Sequence, residues 1–567
     1  MADRNLIKTE RAPFRSLSVF CALLLVCFSA VVSANPTKTA IATAHPLATE
    51  AGHEIIALGG NAFDAAIAVA AVLAVVEPYS SGIGGGGFWL LHRAKDSFEV
   101  MVDGRERAPL AAHRDLYLDN AGEVIPGLSM NGPLSAGIPG EPAALAHIAK
   151  VYGRLSLKQS LAPAIRIVRQ GFLVDPHYQR LARWHLEQLQ KWPASVHQFL
   201  LSGEVPPVGT MIRQPELAET FNRLAEKGQA GFYQGETAEK LLAGVRAAGG
   251  IWTREDLSRY QIVERTPVKG TYKGMKITSA ALPSSGGIVL VTMLNILSGF
   301  DLGAVPSVTR KHLLVEAMRR AYRDRAEYLG DPDFVDIPTE RLISTNYAAG
   351  LARDIQLDVA TPSRLQYNPS SQGEGRDTTH YSIIDAEGNR VSATMSINYP
   401  FGSCFVPPGT GVLLNDEMDD FSARPGVPNV YGLIGGEANA IAPGKRMLSS
   451  MTPTFVETEQ GVAVIGTPGG SRIITMLLHG ILELADSKGV DAWVIKPRFH
   501  HQFLPDQIQF EPDALTQEEQ ETLKSMGHEL KPLERGYGNM QAVFWHRGNG
   551  ELSAASDPRG IGSASVR

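Results

Sequence analysis

The chain has 567 residues, more than one small core usually organises, so one large two-part fold or a pair of domains is expected. Its 44% hydrophobic and 20% charged residues are the composition of a soluble globular protein. A net charge of −6 without any basic block makes the chain a poor candidate for binding nucleic acid.

Residues 1–34 have the pattern of a secretory signal. Arg4, Lys8, Arg11 and Arg15 give a basic start, Leu17 to Val32 form an apolar run, and Val32-Ser-Ala34 offers small residues to a processing enzyme. The run falls short of the about 20 residues of a comfortable membrane span, and no stop-transfer pattern follows it. The expected outcome is export and removal of the segment, with no stable membrane insertion afterwards and a periplasmic or extracellular location. Removal leaves 49 basic and 57 acidic residues, a balance of −8. Of Cys21, Cys27 and Cys404 only the last remains, so an internal disulfide is ruled out and core burial must stabilise the fold.

Leu47 to Leu58 reads as a helix stopped by Gly59-Gly60, and Ala62 to Val76 as a second one closed by Pro78. The second is apolar nearly all round, and too short to span a membrane, so it belongs in a large core. Ser81-Gly-Ile-Gly-Gly-Gly-Gly-Phe88 contains G-x-G-x-x-G, yet it follows a helix and opens a strand, the reverse of a dinucleotide fingerprint; a tight turn with close backbone approach is the better reading. Val100-Met-Val-Asp-Gly-Arg-Glu-Arg-Ala-Pro109 is a strand ending in charge, where a lone arginine is ordinarily a solvated edge residue. From Pro142 to about Gly330 the pattern is mostly helical, with a capping box at Thr253-Arg-Glu-Asp256 and a helix over Arg310 to Leu329. Leu282-Pro-Ser-Ser-Gly-Gly287 reads as a loop.

A polar loop, Tyr367 to Arg376, leads into Asp377-Thr378-Thr379-His380-Tyr381-Ser382-Ile383-Ile384. Read alone, this is an ordinary strand start. It acquires chemistry if the Asp377–Thr378 bond is cut. Thr378 then carries on one residue a hydroxyl nucleophile and an α-amine, titrating at about 7.7–8.0, that can take its proton. Beyond it, Tyr381 to Ile384, Val391 to Ile397, Gly461 to Gly466, Gln507 to Glu511 and Gln541 to Trp545 read as strands. Strand pairs with helices before and after them, in no regular alternation, argue for an α+β fold of sheets covered by helices.

Downstream of Thr378 lie Leu413-Leu-Asn-Asp-Glu-Met-Asp-Asp-Phe-Ser422, Pro425-Gly-Val-Pro-Asn-Val-Tyr-Gly432, Leu448-Ser-Ser-Met-Thr-Pro453 and Gly466-Thr-Pro-Gly-Gly-Ser-Arg472. With Thr378-Thr-His-Tyr-Ser382 these five segments, in this order, resemble the γ-glutamyltranspeptidase family of N-terminal nucleophile hydrolases. Further matches at Gly59-Gly-Asn-Ala62, Gly84-Gly-Gly-Gly-Phe88, Arg105-Glu-Arg-Ala-Pro109, Pro497-Arg-Phe-His-His-Gln502 and Ala555-Ser-Asp-Pro-Arg559 extend the resemblance over nearly the whole mature chain.

The resemblance implies a four-layer αββα sandwich. It implies self-cleavage into a large subunit, 35–377, and a small catalytic one, 378–567. It assigns Thr378 as nucleophile, Ser396 as its supporting hydroxyl where the family usually has threonine, and Gly469 and Gly470 as donors to the reaction's oxyanion. Arg105, Ser449 and Ser450 are expected to hold a substrate carboxylate, and Asp420, Glu417 and Asn398 its ammonium. Pro425 to Ala442 resembles a lid, with Tyr431 closing over the nucleophile and meeting Asn398. The implied activity is hydrolysis of glutathione-like γ-glutamyl compounds or transfer of the group to amino acid or peptide acceptors. Adjacent His500 and His501 do not make a metal-binding pattern, and neither a metal nor a cofactor is assigned. Two rivals are a related acylase for glutaryl-cephalosporin-type amides, whose substrates lack the α-ammonium, and a solute-binding protein that keeps the pocket without self-cleavage.

Overall fold

The computed structural model describes residues 34–364 and 378–567, so residues 1–33 of the signal-like segment and Asp377 of the expected cleavage site lie outside it. Two antiparallel sheets stack face to face. The first, in spatial order, runs Ser563–Val566, Ala40–Thr43, Thr379–Ile384, Arg390–Ser396, Gly86–Arg93, Phe98–Gly104 and Val263–Arg265. The second runs Leu552–Ser556, Gln541–His546, Gly461–Gly466, Thr454–Glu457, Met275–Ser279 and Val268–Tyr272.

Strand alternation decides what each face touches. Tyr381, Ile383, Val391, Ala393 and Met395 turn outward and bury against the helices Pro46–Ala57 and Ala62–Val76. Every residue of Ala62–Val76 is buried, as its all-round apolar sequence requires, and Asn61 and Asp64 close its first turn as a capping box. Tyr381 ties the layers together: its hydroxyl donates to the Ala66 carbonyl at 2.9 Å and accepts from Trp89 Nε1 at 2.9 Å.

His380, Ser382, Ser392 and Thr394 turn inward toward the second sheet. Ser382 donates to the Gln541 carbonyl and Ser392 to that of Ile465, at 3.1 and 3.2 Å. The far face of the second sheet is covered by Gly286–Leu297, Ile473–Ala485 and Val490–Ile495, with Ser307–Tyr328 packed on the first of these. The result is the helix–sheet–sheet–helix sandwich expected from the sequence.

The glycine run is a close-packed turn and not a nucleotide loop. A Cβ on Gly84 would lie 2.0 Å from the Leu413 carbonyl oxygen, and one on Gly85 2.2 Å from that of Ser396. The stretch from Pro142 to Gly330 is mostly helical, as expected, though not throughout. It supplies Val263–Arg265 to the first sheet and the hairpin Val268–Tyr272 and Met275–Ser279 to the second. Among the described residues no helix is long and apolar enough to cross a membrane.

Candidate active site

Thr378 immediately precedes the strand Thr379–Ile384, and the ladder fixes its neighbour. Thr379 pairs with Met395 in the antiparallel register, so the next position brings Ser396 opposite Thr378. Their hydroxyls stand 3.3 Å apart, and Ser396 Oγ also accepts from the Asn398 N–H at 2.8 Å. Thr378 is 6% exposed. The adjacent Thr379 faces the other way and donates to Glu77 at 2.7 Å. His380 is on the Thr378 side, but both ring nitrogens are engaged, by Thr394 Oγ1 at 2.8 Å and Ser382 Oγ at 3.2 Å. Burial lowers its pKa to about 3, so it is a neutral spacer between the sheets and not a base.

Thr378 and Ser396 line a small cavity with Arg105, Asn398, Glu417, Asp420, Tyr431, Ser449, Ser450 and Gly470. Of the proposed site residues that the structure describes, only Gly469 is missing from its wall; it immediately precedes Gly470, with φ of 138° and 55° respectively. The pair opens the short helical turn Gly470–Arg472 that continues into Ile473–Ala485. Amides at such a start have no intrahelical acceptor, and neither glycine N–H meets an acceptor among the described residues.

Arg105 is 1% exposed, not the solvated edge residue a lone strand-end arginine would be. Its backbone is pinned by Asp103 Oδ1, which accepts the Arg105 N–H at 2.9 Å, and by the Tyr260 hydroxyl on its carbonyl at 2.7 Å. The guanidinium meets Asp420 at 2.5 Å and Glu417 at 2.9 Å, with Glu106 at 3.6 Å. The acidic turn Glu417–Asp420 is placed by Asn415, which donates to the Gly84 and Gly137 carbonyls and accepts the Glu417 N–H. Burial raises the pKa of Glu417 and of Asp420, with Arg105 pulling both back, and pushes Glu106 up to about 8. The cavity thus sets a cation and carboxylates side by side, which suits the two charges of an α-amino acid.

Tyr431 covers this space. Its hydroxyl donates to the Asn398 carbonyl at 2.7 Å, and a Cβ on Gly470 would lie 2.6 Å from its ring. Gln502 donates to the Tyr431 carbonyl at 3.2 Å and accepts from Ser471 Oγ at 2.7 Å, which gives the Pro497 to Gln502 motif its place.

Arg325 was not singled out by the sequence. It is buried, donates to Ser285 at 3.0 Å and to Ser450 at 3.3 Å, and burial lowers its pKa. Ser285 in turn bonds the Ser449 carbonyl through both N–H and Oγ. The loop Leu282 to Gly287 is therefore the clamp that sets Ser449-Ser450. His500 and His501 are engaged separately, by Thr475 and Asp506.

Two stacked sheets between helical layers, with a threonine entering a central strand at a cavity that Gly470 also lines, define the N-terminal nucleophile hydrolase class. The family model for gamma-glutamyltranspeptidase matches residues 48–567. Glutathione hydrolase proenzymes of Pseudomonas sp. (strain A14) and Escherichia coli (strain K12) are 42% and 40% identical to this chain; the matches cover 90% and 92% of it, and 89% and 90% of the relatives. Gamma-glutamyltranspeptidase from Helicobacter pylori superposes with a TM-score of 0.55 at 40% identity, over 56% of this chain and 92% of its own. A cephalosporin acylase from Bacillus halodurans superposes with a TM-score of 0.82 at 26% identity over 99% of both chains. The chain belongs to the gamma-glutamyltranspeptidase family.

Proposed function

We propose that this enzyme hydrolyses and transfers γ-glutamyl groups of glutathione-like compounds, with Thr378 as nucleophile, after cutting its own chain at Asp377–Thr378. The observation that carries the reading is the cavity that Thr378 lines together with buried Arg105, Glu417 and Asp420. In the precursor the hydroxyl attacks the Asp377 carbonyl, the resulting ester is opened by water, and pieces 35–377 and 378–567 result. The new α-amine then takes the proton of Oγ1 as the oxygen attacks the substrate's γ-carbonyl. Negative charge forming on that carbonyl falls to the N–H groups of Gly469 and Gly470, donors worth about 2.7–4 kcal/mol each in comparable sites. The amine leaves with a proton, and the acyl-enzyme passes to water or to an acceptor amine. Nucleophile, base and oxyanion donors are all the chain's own, so no cofactor is required.

Arg105, Ser449 and Ser450 are assigned to the α-carboxylate, and Asp420, Glu417 and Asn398 to the ammonium. The acylase alternative, raised by the Bacillus halodurans neighbour, is disfavoured by those carboxylates, since a glutaryl amide offers no cation to neutralise them. Tyr431 is assigned as the gate that limits water at the acyl-enzyme. Export with loss of residues 1–34 rests on the sequence pattern of that segment.

Amino-terminal sequencing of the smaller fragment tests the reading, and Thr378 is the expected first residue. A denaturing gel should show about 38 and 21 kDa pieces, and Thr378→Ala one band of about 59 kDa, at about 0.11 kDa per residue. An intact, inactive chain, as the solute-binding reading requires, or active material still in one piece, would overturn the proposal. Tyr431→Ala is expected to raise the ratio of hydrolysis to transfer, and an unchanged ratio would remove the gate.

A further inference from the structure

The α-carboxylate of a bound amino acid needs more positive charge than Arg105 has to give. That guanidinium is already met by Asp420 at 2.5 Å and Glu417 at 2.9 Å, with Glu106 at 3.6 Å. Burial pushes Glu106 up to about 8, so it is protonated at neutral pH and leaves the charge balance. Arg105 then neutralises one of the two remaining carboxylates, and the ligand's ammonium neutralises the other. The ligand's carboxylate is left without a counter-charge, which is costly in a buried site.

Arg325 stands where that counter-charge is needed. It is buried in the last turn of Ser307–Tyr328, and among the described residues no carboxylate lies within ion-pair distance of it. Asp420 and Arg105 are nevertheless close enough to act on its charge. Burial lowers its pKa, yet a guanidinium keeps its proton in a protein. It reaches the cavity through Ser450, which lines it.

Hydrogen-bond direction sharpens the assignment. A guanidinium only donates, so Ser450 Oγ accepts from Arg325 Nη2 at 3.3 Å and keeps its own proton for another partner. Ser449 Oγ likewise accepts from the Met451 N–H at 3.1 Å. Neither hydroxyl donates to an acceptor among the described residues. A carboxylate only accepts, and so fits both. Arg325 Nε donates to Ser285 Oγ at 3.0 Å, and that hydroxyl donates in turn to the Ser449 carbonyl at 2.7 Å, which anchors the guanidinium to the serine pair.

We propose that Arg325 is a positioning residue for the donor: it turns the Ser450 hydroxyl toward the α-carboxylate and supplies, from behind it, the positive charge that the neutralised Arg105 does not. The inference rests on Ser449 and Ser450 receiving the carboxylate of a γ-glutamyl donor at Thr378.

A truncated donor isolates this contribution. 4-Aminobutyryl-p-nitroanilide keeps the ammonium of γ-glutamyl-p-nitroanilide and lacks its carboxylate, and the ratio of the two kcat/KM values should strongly favour the full donor in the cut wild-type enzyme. In Arg325→Gln, which still donates to a hydroxyl but carries no charge, the ratio should fall about 10–100-fold, through KM more than kcat. Arg325→Lys keeps the charge and should keep most of the ratio. A purely structural arginine would weaken both donors alike, so an Arg325→Gln enzyme with the wild-type ratio overturns the proposal. Self-cleavage, which uses no donor, reports that each variant has folded. Where the Arg325 variants stay uncut, Ser449→Ala/Ser450→Ala decides: it removes the hydroxyls and leaves the cation, so part of the preference should persist, and its complete loss overturns the proposal. An active wild-type enzyme indifferent to the carboxylate overturns it as well, whereas a wild-type enzyme that releases no anilide from either donor defeats the γ-glutamyl reading and this inference with it.

Discussion

The cavity beside Thr378 concentrates charge where water is scarce, and that dictates how it responds to pH. Asp420 and Glu417 are raised from their ordinary carboxylate values by burial, against the pull of Arg105. An ammonium ligand needs them ionised, which they are above those raised values; donor binding is therefore retained at higher pH and lost as pH falls through them. Asp420→Asn should lower kcat/KM for a γ-glutamyl donor by about 10–100-fold, the worth of a charged hydrogen bond. It should also narrow the gap to a glutaryl donor, and a pH series of kcat/KM for both donors checks this. Most of the cavity was legible as sequence because its residues fall in short dense motifs, Leu413 to Ser422 and Leu448 to Pro453. Arg325 was not singled out: it follows Ala321 and Tyr322 on the buried face of Ser307–Tyr328 but carries no motif of its own, and its contact with Ser450 comes from the packing of that helix. Ser396 was legible by motif, but its 3.3 Å contact with Thr378 is a consequence of ladder register.

Turns decide where these elements begin. The glycine run ahead of Gly86–Arg93 lets two main chains touch, with the Leu413 carbonyl in the space a Gly84 side chain would need. Backbone cannot yield as a flexible side chain can, so Gly84→Ala should cost more than about 4 kcal/mol or prevent folding. Urea denaturation of the variant, or its absence from the soluble fraction, is the measurement. The same turn supports Asn415 and through it the acidic turn at Glu417, so any folded remnant should also bind donor poorly. The helices around this core announce themselves by caps, as at Asn61, Thr253 and Thr516. The hairpin Val268–Tyr272 and Met275–Ser279 does not. Its two-residue turn is Lys273-Gly274, both at positive φ, a geometry that Asn-Gly or Asp-Gly would have advertised and Lys-Gly does not. Val268–Tyr272 alternates in burial, whereas Met275–Ser279 is buried everywhere but at Lys276, and both are short and follow a long helical stretch.

Neither sheet belongs to one side of the proposed cut. In the first, Thr379–Ile384 and Ser563–Val566 from the C-terminal piece flank Ala40–Thr43 from the N-terminal piece, and Arg390–Ser396 pairs with Gly86–Arg93. In the second, Thr454–Glu457 pairs with Met275–Ser279. The active cavity is shared in the same way, with Arg105 on one piece and Thr378, Glu417 and Asp420 on the other. Separating the pieces would break four sheet ladders and open the layer between the sheets, so the cut protein is expected to behave as a single cooperative body. Native gel filtration should show both pieces in one peak at every concentration tested. The two should lose structure together in denaturant, with one midpoint by circular dichroism and by anilide hydrolysis. The C-terminal piece expressed alone would carry strands with unpaired edges and no Arg105, and it should aggregate or remain unfolded. Recovery of a folded, soluble 378–567 piece would show that the interleaving is not what holds the molecule together.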